Sequence, residues 1–418
     1  SNGSDRFLAD YDVIVVGAGN AALAAAVSAR ESGANKVLVL EKADQANRGG
    51  NTHFSGGILR FAFDSPRDIA PLLPNVDSDY LNFFEGVEPY TAADFKGDLM
   101  RVTRGRTDPE LSDYVIANSK ETVFWAHDHA KIAMEPAHTI AGVEKNGVIY
   151  WPKGAIVRTE HEGVGLSAGW FKCAERDGVE IRYETGATRI IVDKKGRAAG
   201  VTTRSPAGIE DITANAVILA SGGFEANPEM RVRYLGPAWD YAKVRGTAAN
   251  TGDGINMAIA IGAQAFGNYS GSHAVAWDAG APPFGDRRIG DLFQKHSYPL
   301  GLIVNRDGVR FVDEGADIRN YTYAKYGKEI LNQPGRIAFQ IFDSQVTERL
   351  RDEYKIKEVM SATSDNFADI AEELGIDPKA LEQTISDYND AVNEGDYDPS
   401  VLDGKGTTGI TPPKSNWA

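Results

Sequence analysis

The sequence is poor in the features that would tie it to a membrane, to nucleic acid or to a metal cluster of its own. Cys173 is the only cysteine in 418 residues. The chain can therefore build no disulfide, no paired-cysteine redox motif and no thiolate-ligated iron–sulfur cluster, and no metal site is expected. No uninterrupted apolar run reaches the roughly 18 residues of a membrane span, and no charged stretch followed by an apolar one opens the chain. Lysine and arginine number 44 against 59 aspartates and glutamates, a net charge of −15. That balance excludes a polybasic nucleic-acid or membrane surface and leaves room for a locally cationic pocket. The expectation is a cytoplasmic protein of two or three domains. Ser1-Asn2-Gly3 reads as the remnant of a cleaved tag.

What is present is concentrated in the first sixty residues. Tyr11-Asp-Val-Ile-Val-Val-Gly17-Ala-Gly19-Asn20-Ala21-Ala22 predicts a short buried strand, a glycine turn and a small-residue helix, and Lys36-Val-Leu-Val-Leu-Glu41 predicts a second strand ended by an acid. Gly17 permits the tight turn, Gly19 lets backbone approach a pyrophosphate, and Ala22 takes the third small position where helix packs on strand. The helix N-terminus offers N–H groups and a positive dipole end to phosphate, and Glu41 can accept from a ribose hydroxyl. The loop Arg48-Gly49-Gly50-Asn51-Thr52-His53-Phe54-Ser55-Gly56-Gly57 is too rich in glycine and small polar residues for packing. It reads as backbone laid along a large planar ligand, which a nicotinamide enzyme does not need and an isoalloxazine ring does.

Ala216-Val-Ile-Leu-Ala220-Ser221-Gly222-Gly223-Phe224 predicts another buried strand ending in a glycine turn, and Thr251-Gly-Asp253-Gly precedes a helix over 255–263. With the first sixty residues, these strings resemble the FAD-dependent flavoprotein superfamily of fumarate reductase and succinate dehydrogenase. Within it, Phe311-Val-Asp-Glu-Gly-Ala-Asp-Ile-Arg319-Asn-Tyr321 and Pro412-Pro-Lys-Ser-Asn-Trp-Ala418 look like the FAD-dependent tricarballylate dehydrogenases, a likeness running from about Tyr11 to the last residue. The resemblance implies an α/β fold: a Rossmann-like FAD-binding domain over 5–266 with an inserted β-meander, an α+β capping domain over 267–402, and a segment 403–418 that begins a return to the first domain, the remainder lying outside the chain. It also implies hydride transfer to flavin N5, a small polycarboxylate substrate (tricarballylate going to aconitate), and electrons leaving to a separate membrane-bound iron–sulfur partner. The cofactor contacts expected are Gly17, Gly19, Asn20, Ala21, Ala22, Glu41, Lys42, Arg48, Gly49, Gly50, Asn51, Thr52, Ser55, Gly56, Gly57, Ala187, Ala220, Ser221, Gly222, Gly223 and Asp253. His53 follows Thr52 where the covalently flavinylated members have histidine before threonine, so non-covalent FAD is expected.

Periodicity outlines the remaining elements. Residues 58–145 read as an outer, mostly helical layer, with Asp113–Ala126 at helical spacing. Leu166–Arg176 reads as a helix ending near Gly178. A small sheet is expected in Val179–Tyr183, Ala187–Val192 and Gly200–Thr203 before the chain rejoins the main sheet at Ala216. In the cap, strands are expected in Leu300–Asn305, Gly308–Val312 and Gly335–Phe342, and Asp377–Val392 is an amphipathic helix with Pro378 in its first turn.

The chemistry needs carboxylate binders, exclusion of water and a proton donor or acceptor opposite the flavin. Arginine suits the first, because its planar fork pairs bidentately with a carboxylate. Arg319 is the expected proton-transfer residue by resemblance to the arginine of soluble fumarate reductases, one residue farther from Glu314 than their spacing; the plain alternative is an ion-paired arginine. The family's relay acid and arginine fall at Gln294 and Ser297, leaving His296 as the only group there that titrates near neutrality. His273 aligns loosely with a substrate-binding histidine of the family, the alternative being a structural histidine, Arg60 could hold a further carboxylate, and Arg287-Arg288 is either a second such site or a solvated face. Tyr321 and Tyr323 could donate to a carboxylate or pack, and Cys173 reads as a buried thiol without redox duty. Rival readings are reduction of an unsaturated acid, dehydrogenation of a 3-ketosteroid, and a non-catalytic flavin-binding module.

Overall fold

The computed structural model describes residues 8–137 and 142–418. Ser1-Asn2-Gly3, and the first residues of the expected FAD-binding domain, lie outside the described residues. Strand β1 (Tyr11–Val16) turns through Gly17 into helix α1 (Asn20–Glu31), and the chain returns in β2 (Val37–Leu40). The strands pair in parallel, Val15 opposite Val39. Side chains of β1 alternate between two faces. Val15 packs with Leu23, Ala26 and Val27 of α1, whereas Ile14 and Val16 pack with Leu38, Leu40 and Met257 on the opposite face. A strand covered on both faces has no polar side, which is why this run reads as continuously apolar.

Helix α2 (Pro109–Asp128) covers the stretch expected over Asp113–Ala126, opened by Asp108, whose carboxylate accepts from the Leu111 N–H. Residues 58–145 also carry short strands, Ile58–Leu59 and Met134–Pro136 flanking Val157–Thr159, so the outer layer is less helical than expected. Helix α3 (Glu162–Arg176) ends as predicted, with Gly178 at φ +79°.

The expected meander is divided differently. Its first member, β3 (Glu180–Arg182), joins the parallel sheet beside β2. A parallel neighbour requires a crossover, and α3, immediately upstream, supplies it. The antiparallel part is β4 (Gly186–Val192), β5 (Ala198–Ser205) and the first half of β6 (Gly208–Leu219). The second half of β6, beyond Ala214, pairs in parallel with β1. One continuous strand thus ties meander and main sheet together in the order β3-β2-β1-β6-β5-β4.

Later residues build separate apolar clusters. Strands β7 (Leu302–Val304) and β8 (Phe339–Ile341) pair antiparallel. Leu302 and Val304 pack on Ala371, Leu381 and Ile385 from two helices, Phe367–Leu374 and Pro378–Ala391. The strand expected over Gly308–Val312 is only a bridge, Val304 opposite Arg310. Residues 403–418 lie against the same region: Lys414, 1 % exposed, donates to the Gly301 carbonyl at 3.0 Å, and the Asn416 amide donates to the Gly315 carbonyl at 2.8 Å. No helix among the described residues is long and apolar enough to cross a membrane.

Candidate active site

A cavity of about 360 Å³ opens where β1, β2 and β6 end. Its wall includes Gly17, Gly19, Asn20, Ala21, Glu41, Lys42, Gly50, Asn51, Thr52, Ala187, Ala220, Ser221, Gly222 and Asp253, fourteen of the expected contacts. Gly17 holds φ +110°, and a Cβ there would lie 2.3 Å from the Ala220 carbonyl oxygen. Gly19, the residue before α1, has no side chain to cap the helix, and no acid stands in its first turn. That leaves the positive end of the helix to an incoming phosphate. Thr52 orients the turn by accepting the Asn20 N–H on its hydroxyl at 2.8 Å.

Glu41 is buried, and its oxygens accept the Ala43 and Gly49 N–H groups at 3.0 and 3.1 Å. Burial raises its pKa against those hydrogen bonds. Each carboxylate oxygen keeps a second lone pair for a ribose hydroxyl. Lys42, on the same wall, pairs with Asp253 at 3.0 Å and donates to the Thr251 hydroxyl at 2.6 Å.

The other expected contacts divide. Ser55, Gly56 and Gly223 line a second, larger cleft of about 1990 Å³. Ala22 is buried in the helix–strand interface, as its packing role requires. Arg48 stacks on Phe171, 3.9 Å from the ring centroid, and donates to the Tyr183 hydroxyl at 2.7 Å. Gly49 abuts Ser167, and Gly57 lies so close to Thr159 and Glu162 that a side chain would collide with both. These three hold the loop from behind. His53 meets Arg287 at 3.2 Å, and burial followed by that guanidinium lowers its pKa. Arg287 thus turns to the flavin loop, donating also to the Arg48 carbonyl at 3.2 Å, while Arg288 is exposed and pairs with Asp286.

Across the larger cleft stands a cationic group assembled from distant segments. Tyr323 is its centre. The His273 ring meets Tyr323 edge-on at 5.1 Å, the His296 ring does so at 4.9 Å, and the Arg319 guanidinium lies 5.3 Å from the same centroid. Burial first, then the charge of Arg351, lowers Arg319 to about 10. His273 is exposed in the cleft, yet desolvation and Arg245 bring it to about 4. His296 is 2 % exposed, and neither ring nitrogen has a hydrogen-bond partner. Burial, then Arg319, Arg245 and Arg351, hold it well below the usual imidazole range, so it stays neutral.

Sequence reasoning missed four members. Arg245 forks onto Asp291 with bonds of 2.6 and 2.8 Å, and Arg351 donates to Glu353 at 2.6 Å. Arg245 precedes Gly-Thr in an unpatterned loop. Arg351 and Glu353 sit in a charged run that reads as a solvated surface, so no local signal marked them. Arg60, conversely, is brought to Tyr90 at 3.1 Å and Asp98 at 3.5 Å. Asp98 also accepts from the Tyr321 hydroxyl at 3.0 Å, which places Tyr321 in the same network against the helical layer. Cys173 is buried as expected, its thiol pushed up to about 11, mainly by burial. His129 and Asp177 come near it at metal-ligand spacing, but they bond each other at 2.8 Å and Arg176 donates to the thiol at 3.2 Å.

Comparison with known proteins gives a family model described as an FAD binding domain over residues 12–401. A fumarate reductase (cytochrome) of Shewanella frigidimarina is 30% identical over 395 residues, 92% of this chain and 61% of that protein. A 3-oxosteroid 1-dehydrogenase of Mycolicibacterium smegmatis is 25% identical over 92% of this chain and 78% of its own length. The open conformation of a flavocytochrome c3 fumarate reductase superposes with a TM-score of 0.68 at 24% identity, covering 91% of this chain and 61% of that one. The chain spans about three fifths of the fumarate reductases it matches. The likeness reaches the superfamily and does not single out tricarballylate dehydrogenases. A glycine turn too tight for any Cβ, a helix start with no acid in its first turn and a buried acid at the second strand all fit a dinucleotide, and together with the family model they identify the chain as a member of the FAD binding domain family, within the fumarate reductase and succinate dehydrogenase flavoprotein superfamily, with FAD as its cofactor.

Proposed function

We propose that this chain is the flavin-bearing part of an oxidoreductase that adds or removes hydrogen across a carbon–carbon bond of a small carboxylic acid, in the manner of a fumarate reductase. Residues 5–266 are read as the FAD-binding domain and 267–402 as the cap over it. The observation that carries the proposal is the gathering of His273, His296 and Arg319 around Tyr323, with the charges of Arg245 and Arg351 acting on them, beside a cleft that Arg245, His273 and Tyr323 share with Ser55 and Gly56. Such a group attracts a carboxylate, and the two neutral imidazoles can donate to it without adding charge. When bound, FAD supplies or accepts the hydride at N5. Arg319 gives a proton to the neighbouring carbon in reduction and takes one in dehydrogenation. Its pKa, lowered to about 10, makes either transfer easier than for an arginine in water.

Fumarate and succinate are the dicarboxylate pair of this class, and aconitate and tricarballylate are the tricarboxylate pair. The name of the 30% identical relative favours the first. Electrons reach or leave FAD through a separate partner, for which a membrane-bound iron–sulfur protein is our proposal. FAD is held non-covalently, with His53 engaged by Arg287.

The test is anaerobic spectroscopy of the FAD-loaded chain. After dithionite reduction, fumarate, aconitate and an androstadienedione are added in turn. Reoxidation by either acid supports the proposal. Reoxidation by the steroid alone overturns it in favour of a ring dehydrogenase, and a flavin that no substrate reoxidises marks a non-catalytic module.

A further inference from the structure

Arg319 belongs to a strip of chain that has little to hold itself in place. Its turn, Arg319–Tyr321, is closed by the Tyr321 N–H on the Ile318 carbonyl at 2.9 Å and the Thr322 N–H on the Arg319 carbonyl at 3.0 Å. So short a turn has poor hydrogen-bond geometry and no cooperativity, and none of residues 317–321 is fully buried. A side chain that must meet a reacting carbon within a fraction of an ångström therefore has to be fastened from outside its own segment. On the inner side Thr322, which is buried, does this through a hydroxyl bond to Tyr298.

The outer side of the strip rests on the helix Ala92–Val102. The Tyr321 hydroxyl donates to Asp98 Oδ1 at 3.0 Å, Arg101 forms an ion pair with Asp317, and the Arg101 guanidinium lies 3.9 Å from the Tyr321 ring centroid. Asp98 and Arg101, three positions apart, are neighbours on one face of the helix. Between them they take the residue two before Arg319 and the residue two after it. The helix itself is firmly set: Thr91 and Asp94 cap its start reciprocally, and Lys96 Nζ ties it to the Pro109 carbonyl at 2.9 Å and to Asp113 at 2.6 Å. Asp98 faces a second way as well. Its Oδ2 accepts the Tyr90 hydroxyl at 2.7 Å and pairs at 3.5 Å with Arg60, three residues beyond Gly57 at the end of the flavin loop. One carboxylate thus holds the end of that loop with one oxygen and the strip of Arg319 with the other.

Resting on the reading of Arg319 as the proton-transfer group, we infer that Asp98 and Arg101 are positioning residues that set where Arg319 stands relative to the flavin loop. Neither residue lines the cofactor cavity or the larger cleft, so neither binds substrate. Their loss frees the outer side of the strip while Arg245, His273 and Tyr323 keep their places in the cleft. The effect therefore falls on the rate of the chemical step and not on affinity. Arg101 is half-exposed, so its removal costs the fold little.

Two readouts on the FAD-loaded chain test this, for the unsubstituted protein, Arg101→Ala and Arg101→Lys. The first is amide hydrogen exchange of a peptide spanning residues 315–323, followed by mass spectrometry, and the second is reoxidation of the dithionite-reduced flavin by fumarate or aconitate. In Arg101→Ala the expected result is exchange at Tyr321 and Thr322 faster by roughly tenfold, reoxidation at least roughly tenfold slower and KM within about twofold. Arg101→Lys, which keeps a cation for Asp317 and for the Tyr321 ring, should recover most of both losses. Equal exchange in the unsubstituted protein and Arg101→Ala overturns the inference. So does faster exchange with reoxidation unchanged, or a rise in KM as large as the fall in rate. Exchange needs no turnover, so a chain whose flavin no unsaturated acid reoxidises defeats the proposed function, while the exchange comparison still decides whether the helix holds the strip. Should Arg101→Ala fail to fold, Tyr321→Phe, which loses only the hydroxyl that reaches Asp98, is read against the same outcomes.

Discussion

The cofactor cavity and the cationic group across the cleft are built by opposite strategies. The cavity is made of backbone: most of its wall comes from three strand ends and the turns that follow them, with glycine, alanine, serine and threonine supplying closeness rather than charge. The cationic group is made of long side chains from five separate stretches: His273, His296 and Arg319 meet around one tyrosine ring, and the charges of Arg245 and of Arg351, from the Arg351–Glu353 turn, act on them. A backbone site tolerates changes of charge and fails on a methyl group. A side-chain site tolerates volume changes and fails on a single charge.

The largest effect expected from this contrast is at Gly17. Valine there would force a Cβ into contact with Ala220 at a positive φ, so Gly17→Val should abolish FAD binding and cost more than about 3 kcal/mol of stability. Flavin absorbance after gel filtration and a urea melt check it, and retained FAD with normal stability would break the backbone side of the comparison. Arg319→Ala should do the reverse. We expect FAD retained with an ordinary spectrum and flavin reoxidation by an unsaturated acid lowered by about 10²- to 10⁴-fold. A loss of FAD in that variant would mean that the two sites are not separable.

His296 sharpens the comparison through pH. Its folded pKa lies well below the roughly 6.5 of an unfolded histidine, so the folded protein binds fewer protons there. Its contribution to stability is therefore complete above about pH 6.5 and is lost as pH falls below that value, because the unfolded chain gains a proton that the folded chain refuses. His296→Gln should flatten the fall in urea midpoint between pH 7 and pH 5. An unchanged slope would show that the imidazole is protonated in the folded protein.

The same contrast explains what could be read from the chain. Gly17, Gly19 and Glu41 lie within one strand–helix–strand unit, where spacing along the sequence is spacing in space, so their meeting at one cavity was legible. β3 was misplaced because a three-residue strand looks alike in a parallel or an antiparallel sheet; only α3 as its crossover decides the matter. Arg319 and His273 could be reached by resemblance, and His296 by residue type. Arg245, Asp291, Arg351 and Glu353 could not. Their meaning lies in contacts over separations of 46 and 57 residues, and a charged run such as Arg351-Asp-Glu353 has the same local pattern on a surface as in a site.

Arg60 is the smallest expected effect and the most direct check on that lesson. Its place just after the flavin loop makes it an obvious carboxylate binder in sequence. In the fold its guanidinium donates to the Lys153 carbonyl and the Tyr90 hydroxyl and pairs with Asp98, which in turn holds Tyr321. A side chain held by those partners, one-third exposed, contributes through packing and a screened ion pair, together about 1 kcal/mol. Arg60→Ala should therefore lower the urea midpoint slightly and leave KM for fumarate or aconitate within about twofold, because a twofold change in affinity is worth only ~0.4 kcal/mol. A tenfold rise in KM, with Arg245→Ala leaving KM untouched, would reverse the assignment. The carboxylate would then be held on the cofactor side of the cleft, and the cationic group around Tyr323 would serve proton transfer alone.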